Sequence, residues 1–295
     1  VSSINNQSLL KNSLKDTDLI LSLFGDLTMN TARSKDGTLL VYDVDGNGPA
    51  LIYITGATCF RKFFPIVDDS KIFSKEFTVY NFDRRGRGDS GNTLPYAMDR
   101  EIEDIEAIID AAWGTAYLYS HSSGAVLALE ASLKLKGKVL RVVLYDASYV
   151  HNEEEKIEFK KLGETVGDLL EKQNHSLATK TFLKGIGMPK AFVFFLPLLP
   201  GWRTMKALAP TLAYDILLTH DFPPLEKFMK INLPIYIICG EKSPTGIHDV
   251  SNKLVNAIPN AKLTILKGQD HMVSAKALLP LLTHFLFEKE GLERY

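Results

Sequence analysis

The stretch Tyr117-Leu-Tyr-Ser-His-Ser-Ser-Gly-Ala-Val-Leu-Ala-Leu-Glu130 changes character in its middle. The apolar run Ala116 to Tyr119 reads as a buried strand, and the residues from Gly124 onward read as an apolar helix. Only Ser120-His121-Ser122-Ser123-Gly124 separates the two. So tight a reversal brings strand and helix backbones almost into contact, which demands small side chains two positions either side of its apex. Ser120 and Gly124 meet that demand, and Ser122 is the apex. This is the small-x-nucleophile-x-small pattern of a nucleophile elbow, with Ser in place of the usual first Gly. Its geometry forces the apex residue into a strained backbone region and pushes the hydroxyl into the open. A Ser-rich turn without chemistry would share the composition, so the surrounding chain decides between the two.

Composition narrows the classes. The chain has 295 residues, 45% hydrophobic and 23% charged, ordinary for a globular α/β enzyme with a sizeable core. A net charge of -1 argues against a nucleic-acid or anionic-membrane partner held by bulk electrostatics. The two cysteines, Cys59 and Cys239, have no zinc-like spacing. The longest conspicuous apolar run, Ala191 to Pro200, is too short to span a bilayer and contains Pro197. The first residues are polar, with no basic stretch followed by an apolar block. The expectation is a cytoplasmic protein.

Outward from the apex, strands and helices alternate. Residues 8–24 suit one or two short amphipathic helices, a helical extension over 1–26 that could pack on the body or form a homodimer contact. Strands are expected at Leu27 to Ala32, Leu39 to Val44, Ala50 to Thr55, Phe77 to Phe82, Lys138 to Asp146, Leu233 to Cys239 and Ala261 to Leu266. Helices are expected at Phe63 to Ile72, 98–112, 124–135, 247–257 and 274–289. Several strands are continuous apolar runs, as in a parallel sheet covered on both faces. Between Ala147 and Lys230 the alternation stops and only helical patterns appear. The chain therefore divides into an α/β core, 27–146 and 231–295, with a helical insertion over 147–230 above one edge of a mostly parallel sheet.

Asp83-Arg-Arg-Gly-Arg-Gly-Asp-Ser90 resembles the D-x-R-G-x-G-x-S turn that follows the fourth strand in α/β-hydrolases. The likeness extends over roughly 38–146 and 232–287 through element order, turn, elbow and late histidine; the insertion and N-terminal segment are outside it. It implies an α/β-hydrolase sheet flanked by helices, strand order 1-2-4-3-5-6-7-8, with the insertion as a helical cap. The same turn contains Gly86-x-Gly88-x-x-Gly91, a literal dinucleotide-binding match, but it runs into Asn92-Thr-Leu-Pro95. A dinucleotide loop must lead directly into a helix, so no nucleotide or other cofactor is expected, nor a metal.

His271, in Gly268-Gln-Asp-His-Met272, follows the last strand, where the family brings its base to the elbow. It could take the proton from Ser122 and return it to the leaving group. His121 must point away from the Ser122 side chain and reads as packing or positioning. The acid is harder to place. Where the family has Asp in a G-x-x-D frame, this chain has Gly240-Glu-Lys-Ser243. Asp146, at the tip of the preceding strand, is the foremost replacement, with Glu241 and Asp249 as alternatives and a triad lacking an acid as a fourth possibility. By family frame the oxyanion hole would use the amides of Ser123 and Ala57. Gly56, Thr58, Phe194 and Trp202 are expected to line the substrate.

Strand order would separate Cys59 from Cys239 beyond disulfide reach, so both read as free thiols. The aromatic run in the insertion favours a small apolar substrate. Together these readings imply a serine hydrolase cleaving an ester, lactone or related carbonyl bond. An Asp apex would have implied an epoxide hydrolase or dehalogenase. The alternatives are a lyase, an acyltransferase or a cofactor-free oxygenase on the same fold, or a small-molecule binding protein with relaxed catalysis.

Overall fold

The computed structural model describes residues 29–288. The helices expected over residues 8–24 lie outside them, as does the start of the strand expected from Leu27, which runs over Asn30–Arg33. In chain order the strands are β1 (Asn30–Arg33), β2 (Leu39–Asp45), β3 (Ala50–Ile54), β4 (Thr78–Phe82), β5 (Ala116–His121), β6 (Val139–Tyr145), β7 (Ile235–Gly240) and β8 (Ala261–Leu266). They form one sheet in the order β1-β2-β4-β3-β5-β6-β7-β8. β2 pairs antiparallel with β4, and every pairing from β4 across to β8 is parallel.

Helices α1 (Phe64–Phe73), α2 (Met98–Ala111) and α3 (Ser123–Lys134) precede β6. Between β6 and β7 come α4 (Glu153–Glu171), α5 (His175–Gly185), α6 (Lys190–Phe195), α7 (Trp202–Ala207), α8 (Leu212–Thr219) and α9 (Leu225–Phe228), with no strand among them. α10 (Thr245–Ala257) and α11 (Ala275–Leu286) flank β8.

The unbroken apolar strands have the physical reason expected of them. Successive side chains face opposite ways, so a strand covered on both faces is apolar at every position. Ile52, Ile54, Leu118, Val142 and Leu144 pack with α2, α3 and α10 in one core cluster. Their neighbours Leu51, Tyr53, Tyr119, Val143 and Tyr145 pack with α1 and α11 in another. A third cluster, built on Val166, Phe182, Val193, Leu196, Met205 and Leu212, belongs to the inserted helices, and Ala57 and Phe63 pack against it.

Parallel pairing aligns the carboxyl ends of the central strands. Ile54 of β3 lies opposite Ser120 of β5, and His121 opposite Tyr145 of β6. α3 leaves β5 at once and passes so close to β3 that a Cβ on Gly124 would sit 2.4 Å from the Ile54 carbonyl oxygen. That approach is why the position needs Gly. The turn after β4 is equally constrained: a Cβ on Gly88, at φ 51°, would fall 2.1 Å from the Asp83 carboxylate. That carboxylate accepts hydrogen bonds from the Arg61 and Asp89 amides at 2.7 and 2.9 Å, and Ser90 Oγ donates to the Asp83 carbonyl. No helix begins until Met98, in line with a turn that is not a dinucleotide loop. Gly124→Ala is expected to destabilise the fold by about 1–3 kcal/mol through overpacking of backbone on backbone, measured by denaturant unfolding.

Candidate active site

Ser122 sits between β5 and α3 with φ 58° and ψ -128°, a region that L-residues rarely occupy and that costs on the order of 1–3 kcal/mol. Its surroundings enforce the conformation. The Ser122 amide donates to the Tyr145 carbonyl at 3.1 Å, pinning the apex to β6, and the Ala125 amide donates to the Ser122 carbonyl at 3.0 Å. Ser120 is fully buried beneath it. On the other side Gly56 lies so close that a Cβ there would meet Ser122 Cβ at 2.9 Å. Ser122 is partly exposed, and its Oγ lies 3.3 Å from Ser148 Oγ.

Asp146, the first residue after β6, is also at positive φ (46°) and has no exposed surface. Its Oδ1 accepts from the Gly240 amide at 3.0 Å, and its Oδ2 accepts from Ser243 Oγ at 2.6 Å and from His271 Nδ1 at 3.0 Å. Burial pushes the Asp146 carboxyl up, but the hydrogen bonds from His271 and Ser243 outweigh burial and hold it below the usual carboxylate range. An ionised carboxylate only accepts, so Nδ1 of His271 carries the proton and Nε2 is left to act as a base. Ser243 stands at the position where the family frame has its acid. Here it is a donor to the carboxylate of Asp146 at the end of β6.

The other acids lie elsewhere. Glu241 accepts from the Gly268 amide at 2.8 Å, supporting the loop before His271 without meeting its ring. Asp249 lies 3.3 Å from His151 Nε2. His121 Nε2 is 2.9 Å from the His271 carbonyl oxygen, and the two rings are 4.6 Å apart. Burial, then the neighbouring His271, lower the His121 pKa to about 3, so this ring is neutral and its Nε2–H donates to the carbonyl. His121 thus holds the His271 loop, in keeping with a packing or positioning part.

Below the apex lies a buried ionic cluster. Asp215, on α8, accepts from Ser123 Oγ at 2.8 Å, Arg84 Nη1 at 3.0 Å and Arg87 Nη2 at 2.6 Å. Arg87 also donates to the Gly56 carbonyl at 2.6 Å, and Arg84 to the Thr55 carbonyl at 3.2 Å and to both oxygens of Glu101. Directly through Ser123 and by way of Arg87 to Gly56, one carboxylate from the inserted helices therefore ties together Gly56, which lies against Ser122, and Ser123, which follows it. Burial raises the Asp215 pKa, but Arg87 and Arg84 outweigh it and hold the group below its ordinary value.

The remaining expected residues are dispersed. Thr58 is buried at φ 60° just beyond the Gly56–Ala57 turn. Trp202 packs on the cluster of the inserted helices with Lys180 Nζ 5.9 Å from its ring centre. Phe194 is 72% exposed and edge-on to Phe195 at 5.0 Å. Neither Ser148, nor Ser243 as a donor, nor Asp215 belongs to a motif that names its partner. Only Ser243 carried a signal, its place in the G-x-x-D frame.

Both Cys59 and Cys239 are free thiols. Among the described residues no helix is long and apolar enough to cross a membrane.

Asp215→Asn is expected to cost about 3–5 kcal/mol, because two buried guanidiniums lose their shared counter-charge. The folded pKa values of Asp215 and Asp146 are depressed. Their stabilisation is therefore fully present above the unfolded value of about 4 and lost as pH falls through the folded values. Melting temperature against pH should show a drop below about pH 4 that is smaller in Asp215→Asn.

A model of the alpha/beta hydrolase family matches residues 51–278. Among solved structures, an alpha/beta hydrolase from Sphaerobacter thermophilus DSM 20745 is 33% identical with a TM-score of 0.79, the match covering 87% of this chain and 100% of that one. A hydrolase from Pseudomonas aeruginosa PA01 is 20% identical with a TM-score of 0.73, covering 90% of this chain and 100% of its own. The enol-lactonase from Burkholderia xenovorans LB400 is 18% identical with a TM-score of 0.64, covering 88% and 100%. The last two likenesses are of fold alone. No curated protein matches the chain.

Proposed function

Since the chain belongs to the alpha/beta hydrolase family, we propose that it is a serine hydrolase opening an ester, lactone or related carbonyl bond of a small apolar molecule. The observation that carries the reading is the Asp146–His271 hydrogen bond of 3.0 Å beside a serine held at a strained strand-to-helix apex. His271 Nε2 takes the proton of Ser122 Oγ as the oxygen attacks the carbonyl carbon. The amides of Ser123 and Ala57 stabilise the tetrahedral oxyanion, each such donor being worth about 10²–10³ in rate. The imidazolium, its charge balanced by Asp146, then protonates the leaving group. Water repeats the sequence on the acyl-enzyme. The helices of residues 147–230 serve as a cap, whose apolar cluster reaches Ala57 and favours an apolar acyl or lactone ring.

An activated fluorophosphonate is expected to label Ser122, and Ser122→Ala to abolish both labelling and ester turnover. Labelling that persists, or turnover that survives in a lyase or oxygenase manner on His271 and Asp146 alone, would sink the reading. Asp146→Asn should lower kcat by up to about 10⁴ through loss of the productive tautomer.

Ser243→Ala removes one hydrogen bond to the ionised Asp146, a contact of the kind worth about 1.5–3 kcal/mol. It is expected to lower kcat by roughly tenfold with little change in KM, read from steady-state hydrolysis of p-nitrophenyl esters.

A further inference from the structure

The net charge of -1 conceals a segregation. From Lys172 to Tyr214 the chain holds six cations (Lys172, Lys180, Lys184, Lys190, Arg203 and Lys206) and not one Asp or Glu. All but Lys180 are exposed, and none of those five forms an ion pair among the described residues. Cations left without partners on a protein surface are free to meet an external anionic one.

The same segment presents the most apolar exposed surface of the inserted helices. Through α6 and the single 3₁₀ turn that follows it, Val193 and Leu196 face inward, at 0% and 2% exposure, and anchor the cap cluster. Their neighbours face out: Leu198 is 79% exposed, Phe194 72% and Phe195 54%, with Phe192 and Leu199 exposed beside them. Single exposed apolar residues need no explanation, but five within eight positions, bracketed by Lys190 and Arg203, form a patch. Large exposed apolar side chains flanked in sequence by exposed cations suit the boundary between acyl chains and anionic headgroups.

We propose that this face, Lys184 to Lys206, docks on an anionic lipid surface, with Phe194, Phe195 and Leu198 entering the acyl boundary and the flanking cations resting on headgroups. A second copy of the chain fits less well. A two-fold pairing would press the cations of one copy against those of the other. Docking here would also set the cap, and the Ala57 turn beneath it, against the phase in which apolar molecules concentrate.

The binding step does not depend on the catalytic reading, and the test keeps them apart. The full chain is sedimented with phosphatidylcholine vesicles, with and without phosphatidylglycerol, at low and high salt. Retention on the anionic vesicles, reduced by salt, is the expected result. Lys190→Glu/Arg203→Glu and, separately, Phe195→Ser/Leu198→Ser should each weaken it by at least about tenfold. Both variants should keep the wild-type melting temperature and turnover of a water-soluble ester. If that ester is not turned over by any form, the hydrolase reading fails while docking stands. No retention on anionic vesicles, retention unaffected by salt and by both double variants, or a patch that instead makes the chain dimerise in sedimentation velocity would overturn the proposal.

Discussion

The site depends on how closely α3 passes β3. With hydrogen in place of a side chain at Gly124, the helix begins directly at the strand end, and a Cβ there would press into the Ile54 carbonyl at 2.4 Å. The reversal leaves Ser122 no ordinary backbone conformation, and the Tyr145 carbonyl fixes the one it has. Gly56 completes the constraint from β3, being small enough for the serine to stand against it. The conformation of Ser122 is thus a consequence of packing across three adjacent strands, and its cost is carried by the buried core on both faces of the sheet.

Two buried carboxylates then connect that apex to the rest of the molecule. Asp146 gathers the ends of β6 and β7 and the loop after β8, taking donors from Gly240, Ser243 and His271. Asp215 gathers the inserted helices, the turn after β4 and the start of α3, taking donors from Arg84, Arg87 and Ser123. In each, burial by itself would favour the neutral acid, and the converging donors reverse the balance. Such groups are stabilising only while their partners remain, because an unpaired buried charge is far more costly than an absent pair. The first holds the His271 ring. The second couples the placement of the inserted helices to the backbone on either side of Ser122.

Charge is distributed with the same economy. The arginines of the turn after β4 are turned inward and matched by Glu101, Asp104 and Asp215, whereas the cations of residues 172–206 other than Lys180 are exposed and form no ion pair among the described residues. Identical side-chain chemistry thus serves cohesion in one place and an external surface in the other. A near-zero total charge describes neither.

The order of strands and helices was legible because it rests on local rules: apolar runs for strands covered on both faces, period 3.6 for helices, small residues at the elbow. Ser122 and His271 were legible by position along such a chain. The sequence also revealed that Ser243 stands where an acid is expected, but not what the serine does there. That required β6 and β7 to pair and bring residues 146 and 243 together, a contact across 97 positions. The same holds for Asp215, which meets Ser123 across 92 positions. Nothing near it in sequence marks it out from a surface acid on an amphipathic helix. The apolar run of residues 191–200 likewise does not say which of its side chains are covered: Val193 and Leu196 are buried and Phe194 is exposed. Periodicity and spacing are properties of neighbouring residues and are written in the chain itself. Which donor meets which carboxylate, and which face of a short helix is covered, depends on how distant segments pack, and only the tertiary structure decides that.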